Sequence, residues 1–203
     1  MVRIVETFLS LQGESTHAGR PCWFIRLAGC NLSCSYCDTL YAHSPAAGRE
    51  CTLEELVDGA LGSGVRLVEI TGGEPLLTSE TPELCRRLLS GGFEVLLETN
   101  GSLSIASVPV EVRKILDCKL PGSGMSGHNR YDNYALLQPH DEVKFVVGSR
   151  EDFDFAQAVI ARYGLTTFTG NLLFSPVWGR VTFDELAAWL IESHGPGRSE
   201  ERR

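Results

Sequence analysis

The chain has 203 residues, of which 43% are hydrophobic and 22% are charged, and these proportions exclude a disordered, collagen-like or coiled-coil protein. Its net charge of −8 gives no bulk attraction for nucleic acid or for an anionic membrane. No apolar run reaches the roughly 20 residues that span a bilayer, and Glu6 interrupts any secretory signal. We therefore predict one cytoplasmic domain, 1–203, that binds neither nucleic acid nor membrane.

Short apolar runs alternate with amphipathic stretches from the N-terminus onward. The runs typical of strands are 4–9, 23–28, 67–71, 93–98, 114–118, 142–147 and 172–174. Helical spacing of apolar residues predicts helices over 52–61, 81–89, 153–163 and 182–193. Thr52 and Thr182 have the position of N-caps, and Glu185 completes a capping box with Thr182. The alternation predicts βαβ units and a parallel sheet, either a short open barrel or a doubly wound sheet.

Unusual residues follow three of these predicted strands. Gly29-Cys30 follows the second run, the segment 71–75 follows the third, and 99–101 follows the fourth. Both candidate folds place their chemistry at the C-terminal ends of the strands. The sequence therefore predicts one active site built from several loops at this end of the sheet.

Seven cysteines are present, an odd number that does not suggest a disulfide framework in a chain without a signal peptide. Cys30, Cys34 and Cys37 form a C-x3-C-x2-C motif. Three thiolates are one short of a closed zinc site or of full ligation of a 4Fe–4S cluster, which would leave one iron open. A site-differentiated iron–sulfur cluster, a structural zinc with a distant fourth ligand and coincidental core cysteines are the three interpretations.

The remaining cysteines and all the histidines carry no metal-ligand spacing. Scattered cysteines usually pack in the core, and the four are Cys22, Cys51, Cys85 and Cys118. The histidines are expected in loops or at the surface: His17, His43, His128, His140 and His194.

The cysteine motif resembles the cluster-binding motif of radical S-adenosylmethionine enzymes, and Gly72-Gly73-Glu74-Pro75 resembles their GGEP loop. A narrower resemblance covers most of the chain and includes the segments 11–14, 26–32, 36–39, 71–75 and 98–101. These segments are similar to the 7-carboxy-7-deazaguanine synthase family, and the Asp38-Thr39 pair is the most discriminating. The resemblance implies an α/β fold, a reduced partial (β/α) barrel with parallel strands.

The resemblance also implies a reaction. Members of this family are lyases that convert 6-carboxy-5,6,7,8-tetrahydropterin to 7-carboxy-7-deazaguanine with loss of ammonia, in the biosynthesis of queuosine and other 7-deazapurines. The implied cofactors are a 4Fe–4S cluster, S-adenosylmethionine and Mg2+. The implied partners are the small pterin substrate, a reductant such as flavodoxin or ferredoxin, and a second copy of the chain in a homodimer.

Site residues follow from the resemblance, position by position. Cys30, Cys34 and Cys37 would hold the cluster, and Thr39 would bind Mg2+. The implied substrate contacts are Leu11, Gln12, Gly13, Arg26 and Thr71. The implied S-adenosylmethionine contacts are Tyr36, Asp38, Gly73, Glu74, Lys119 and Ser175. Chemically, a guanidinium fork suits the substrate carboxylate, glycine permits close approach of the backbone, and Glu74 is expected to accept a hydrogen bond from the cofactor ammonium.

The C-terminus departs from the family pattern. Family members continue past the last helix into an Arg- and Gln-rich strand, whereas this chain ends in a charged stretch. We expect 195–203 to be a disordered tail and the family's final strand to be absent or replaced. Two alternative functions share part of the sequence pattern: an activating enzyme for a glycyl-radical enzyme, and a zinc-binding module without enzymatic activity.

Overall fold

The computed structural model describes residues 1–199, and their strands form one nine-stranded sheet. The strands are β1 (Val2–Leu11), β2 (Pro21–Leu27), β3 (Arg49–Cys51), β4 (Leu67–Gly72), β5 (Glu94–Thr99), β6 (Arg113–Asp117), β7 (Glu142–Val147), β8 (Asn171–Pro176) and β9 (Arg198–Ser199). The α-helices are α1 (Leu53–Gly62), α2 (Thr81–Ser90), α3 (Arg150–Tyr163) and α4 (Phe183–Ser193). None of the helices in this part of the chain is long and apolar enough to cross a bilayer.

The sheet is open, and its order is β3-β1-β2-β4-β5-β6-β7-β8-β9. From β2 to β9 every neighbouring pair is parallel, while β1 is antiparallel to both β2 and β3. Because the parallel strands follow one another in chain order, the sheet has no reversal of strand order of the kind that defines a doubly wound fold. The partial-barrel prediction is confirmed.

Helix boundaries follow the capping signals in the sequence. The Thr52 hydroxyl accepts the Glu55 N–H, and the Glu55 carboxylate accepts the Thr52 N–H in return. Thr182 and Glu185 form the same reciprocal pair at the start of α4. Each cap satisfies backbone donors that the first helical turn leaves unpaired, so these two helices begin where their threonines predict.

The two faces of the sheet differ in chemistry. Alternate residues of β4 show this: Val68 and Ile70 belong to the larger core beneath the helices, whereas Glu69 and Thr71 line a cavity on the other face. Period-two alternation of side chains along a strand produces this separation. A smaller cluster of Cys22, Phe24, Leu67, Leu96 and Ile115 packs on the cavity side.

The predicted disordered tail is wrong over its described part. Arg198 and Ser199 pair with Leu173 and Phe174 and extend the parallel sheet by one short strand. Strand β3 was also not predicted from the sequence. Residues 200–203 of the predicted tail lie outside the described residues.

Candidate active site

The three motif cysteines line one cavity of about 660 Å3 at the C-terminal ends of the strands. All three are free thiols and half-buried. Their loop is held by backbone hydrogen bonds, from Ser35 N to Ser123 O at 3.0 Å and from Cys37 N to Cys34 O at 3.2 Å. One short loop therefore presents three soft sulfur ligands to a shared space.

Charge and burial act in opposite directions on these thiols. Burial raises the pKa of Cys30 and of Cys34 above the ordinary thiol value. The Lys119 ammonium opposes that rise by lowering the pKa of Cys34, and it lies 2.7 Å from an Asp117 oxygen. A nearby cation favours thiolates, which are the form that binds iron. Three free thiols beside a partly buried cation suit an iron–sulfur cluster.

The GGEP loop packs directly against the cysteine loop. Glu74 N donates to Gly29 O at 2.8 Å. A Cβ on Gly73 would stand 2.2 Å from Gly29 O and 2.9 Å from the Cys30 Cβ, distances that no side chain can occupy. Gly72 has a φ of +146° and is similarly enclosed by Leu27. Glycine at these two positions brings the loop backbone to the cavity wall.

The Glu74 side chain does not reach the cavity surface, in contrast to the prediction that it contacts the cofactor ammonium. It is fully buried and accepts hydrogen bonds from Leu76 N, Thr99 Oγ1 and Asn100 N at 2.7–2.9 Å. These bonds tie the loop after β4 to the loop after β5. Glu74 therefore fixes the positions of these two loops without contacting the cavity itself.

Arg26 lies on the cavity side of β2 and is fixed by its neighbours. Its Nε donates to Glu6 at 2.8 Å, and Glu6 also accepts the Tyr41 hydroxyl at 2.9 Å. The guanidinium lies 5.8 Å from the Phe8 ring centre and 5.9 Å from that of Tyr41. Since Nε is the atom engaged with Glu6, the terminal nitrogens can form the fork that a carboxylate requires.

A polar network lies deeper in the cavity. Gln12 Nε2 donates to Glu69, and Gln12 Oε1 accepts the Glu14 N–H at 2.9 Å. Lys144 pairs with both Glu14 and Glu98. Burial raises the pKa of Glu69 well above its ordinary value, and the charges of Glu98 and Glu14 add to that rise. Thr71 donates to Glu98 at 3.1 Å.

Asp38 and Thr39 reach the rim, where the Thr39 hydroxyl donates to Asp38 Oδ1 at 2.9 Å. Nowhere in residues 1–199 do three His, Cys, Asp or Glu side chains converge on a point that could hold a single metal ion. The remaining predicted contacts that line the cavity are Leu11, Gly13, Tyr36 and Lys119.

Tyr36 and Ser175 occupy different positions with respect to this cavity. The Tyr36 hydroxyl donates to Val146 O at 3.2 Å, and burial raises its pKa. Ser175 is fully buried and does not line the cavity. Its hydroxyl has no hydrogen-bond partner within the described part of the chain. Of the predicted contacts, only Glu74 and Ser175 are therefore not brought to the cavity surface.

Several residues that line the cavity are not among the contacts predicted from the sequence, and Glu69 and His43 are two of them. Glu69 lies within the predicted apolar run 67–71, and its alternation with Val68 and Ile70 is the signal that places it on the opposite face of the sheet. The sequence predicts His43 in a loop or at the surface, yet it lines the cavity and its Nε2 lies 3.4 Å from Cys37 Sγ. His17 is also buried, 2.5 Å from Glu94. No sequence spacing distinguishes these two histidines from the others.

Comparisons with known proteins agree with this geometry. Residues 24–188 match the Radical SAM superfamily. A 7-carboxy-7-deazaguanine synthase from Koribacter versatilis is 41% identical in an alignment that covers 94% of this chain and 90% of the relative. The chain belongs to the 7-carboxy-7-deazaguanine synthase family.

Further members of the 7-carboxy-7-deazaguanine synthase family match over similar lengths. The Chlorobaculum tepidum relative is 41% identical, with 98% of this chain and 90% of the relative covered. The crystal structure of QueE from Escherichia coli is similar in fold, with a TM-score of 0.78, 24% identity and coverage of 99% of this chain and 93% of that one. The family resemblance drawn from the sequence motifs is confirmed.

Proposed function

We propose that the chain is a radical S-adenosylmethionine lyase that converts 6-carboxy-5,6,7,8-tetrahydropterin to 7-carboxy-7-deazaguanine with loss of ammonia, in the pathway to queuosine. The observation that carries this proposal is one cavity lined by both a three-cysteine loop and a preoriented arginine. Relatives named for this activity match at 41% identity over 90% of their length, which supports the same assignment.

Cys30, Cys34 and Cys37, which line the cavity, would hold the 4Fe–4S cluster. When bound, the cluster and S-adenosylmethionine supply the one-electron chemistry that the ring contraction requires. The close backbone of Gly73 and the Lys119 ammonium at the cavity wall support a cofactor position beside the cysteine loop. Tyr36 and Asp38 line the same part of the cavity.

The substrate would lie between Arg26 and the polar network. The terminal nitrogens of Arg26 would bind the pterin carboxylate, since Glu6 fixes the guanidinium through Nε. Gln12 has its amide orientation set by Glu69 and Glu14 N, so it would present a defined donor and acceptor to the pterin edge. Leu11, Gly13 and the Thr71 hydroxyl would complete that contact.

Thr39 is the proposed protein ligand of Mg2+, because a hard cation can complete its shell with water and substrate oxygens. The proposed partners are a reductant such as flavodoxin or ferredoxin and a second copy of the chain in a homodimer. We place the protein in the cytoplasm, where its seven cysteines would stay reduced.

The test is turnover by anaerobically reconstituted protein. With S-adenosylmethionine, Mg2+ and a reductant, mass spectrometry should detect 7-carboxy-7-deazaguanine and ammonia should be released. S-adenosylmethionine should not be consumed in proportion to product, whereas a glycyl-radical activating enzyme would consume it stoichiometrically. Protein with a full cluster that forms no product would contradict the proposal, and a colourless protein that binds one zinc would support the zinc-module alternative.

A further inference from the structure

His43 touches two of the three cysteines of the candidate cluster site. Its backbone carbonyl accepts the Cys30 N–H at 3.1 Å, and its ring Nε2 lies 3.4 Å from Cys37 Sγ. The residue is fixed from both sides, because Gly29 N donates to Ala42 O at 2.8 Å and His43 N donates to Leu40 O at 3.1 Å. The backbone of this turn is therefore fixed beside the cysteine loop, and the imidazole lies against the Cys37 sulfur.

The distance falls within the range of a hydrogen bond to sulfur, which is longer than one to oxygen because the sulfur atom is larger. A thiolate sulfur can only accept, so Nε2 must carry the hydrogen in the tautomer that pairs with it. Asn100 Nδ2 approaches Cys30 Sγ at 3.9 Å, close to the outer limit of such a contact. Of these two side-chain donors, the His43 ring is the nearer to a motif sulfur.

We propose that His43 is a positioning residue that donates an N–H···S hydrogen bond to Cys37 and raises the reduction potential of the cluster. Reduction adds negative charge to the cluster sulfurs, and an N–H dipole directed at a sulfur stabilises the reduced form more than the oxidised form. Hydrogen bonds to sulfur are among the determinants of iron–sulfur potentials. The inference rests on the cluster binding that the proposed function includes.

Two substitutions distinguish the effect of the N–H donor from the effect of the aromatic ring. H43F keeps an aromatic ring and removes the N–H, whereas H43Q places an amide nitrogen near the position of Nε2. The backbone bond from Cys30 N survives in both variants. H128A is the matched control, since His128 is an exposed histidine that does not line the cavity.

The measurement is a redox titration of reconstituted protein, followed by the electron paramagnetic resonance signal of the reduced cluster. At the wild-type midpoint, H43F should show a ratio of reduced to oxidised cluster lower by about tenfold, which is 59 mV for a one-electron couple. H43Q and H128A should stay close to the wild type. A wild-type potential in H43F would overturn the inference, whereas a wild-type protein without a cluster would contradict the proposed function itself.

A second measurement needs no variant that might lose its cluster. In wild-type protein labelled with 15N only at histidine, electron–nuclear double resonance of the reduced cluster should detect one weakly coupled nitrogen, and H128A should retain it. Absence of that coupling would overturn the inference. A strong coupling typical of direct iron–nitrogen ligation would overturn it as well, because His43 would then be a ligand and not a hydrogen-bond donor.

Discussion

Arg26 depends on Glu6 for its orientation, because the carboxylate holds the guanidinium through Nε while two aromatic rings flank it. We expect E6Q to raise KM for the carboxytetrahydropterin about threefold to tenfold, since a half-exposed charged hydrogen bond contributes on the order of 1 kcal/mol. The value of kcat should change less, because the contact acts on binding.

E50Q is the matched control for this prediction. Glu50 pairs with Arg3 on the exposed edge of the same sheet, at 3.5 Å, and it does not line the cavity. Steady-state kinetics with both variants test the argument. Equal KM values for E6Q and the wild type would contradict it, as would an equal rise in E50Q.

Glu69 and Glu94 are predicted to change stability with pH in opposite directions. The pKa of Glu69 is raised above 4.5 in the folded state, mainly by burial. Its contribution to stability is therefore fully present below pH 4.5 and is lost as the pH rises from there through the raised pKa. The pKa of Glu94 is lowered to about 2, chiefly by its hydrogen bond with Arg20. Its stabilising contribution is therefore present above 4.5 and is lost as the pH falls toward about 2.

Thermal unfolding of E69Q and E94Q at several pH values measures this difference. E69Q should raise Tm at pH 8 by a few degrees, at about 2–4 °C per kcal/mol for a chain of this size, and the gain should shrink toward pH 5. E94Q should lower Tm at pH 8, with a loss that shrinks as the pH falls below 4.5. A parallel pH dependence in the two variants would refute the assignment.

The loop after β4 packs so closely on the cysteine loop that an added methyl group is expected to affect both stability and cluster binding. G73A would place a methyl group 2.2 Å from Gly29 O, and backbone on both sides leaves little room to relax. Overpacking of this kind costs about 1–3 kcal/mol or more. We expect a lower Tm together with a lower iron content after reconstitution, because Cys30 is displaced by the same contact.

G62A provides the comparison for that substitution. Gly62 ends α1 and has no atom within 4 Å of the position of an added Cβ. Alanine favours the helix over glycine by up to about 1 kcal/mol, so Tm should stay equal or rise and the iron content should not change. Reconstitution of G73A to a full cluster with a wild-type Tm would show that the two loops do not need this close approach.

Helices and strands whose own residues carry a pattern, such as a capping box, are predictable from the sequence. A strand that is recognisable only because it pairs with another strand is not. Helix α4 begins where Thr182 and Glu185 form a capping box. Strand β7 has the predicted bounds 142–147, and all six of its residues are buried. Strand β3 has three residues and is recognisable only through its pairing with Val2, Arg3 and Ile4. The direction of the Glu74 side chain is also not predictable from the sequence. The residue lies in a recognised motif, but only the structure shows that its carboxylate accepts hydrogen bonds from Thr99 and Asn100.

At the scale of the whole molecule, strand β8 pairs with the short edge strand β9 and so holds the segment after α4 against the sheet. Gly197 leads into β9 and packs so closely on Phe174 that an added Cβ would lie 2.7 Å from its ring. Phe174 itself is fully buried and contacts Phe145 and Phe153. The two residues of β9 therefore cover the edge of β8 next to a large aromatic part of the core.

Two truncations test whether this short strand contributes to stability. A chain that ends at Gly195 loses β9 and exposes the edge of β8 beside Phe174, and we expect it to unfold with a free energy lower by about 1–2 kcal/mol, from lost hydrogen bonds and apolar burial. A chain that ends at Ser199 retains the strand and is the reference for this comparison. Urea denaturation followed by tryptophan fluorescence measures both, because Trp189 contacts Phe153 in the same core. Equal stability of the two truncated chains would mean that β9 pairs with the sheet without stabilising it.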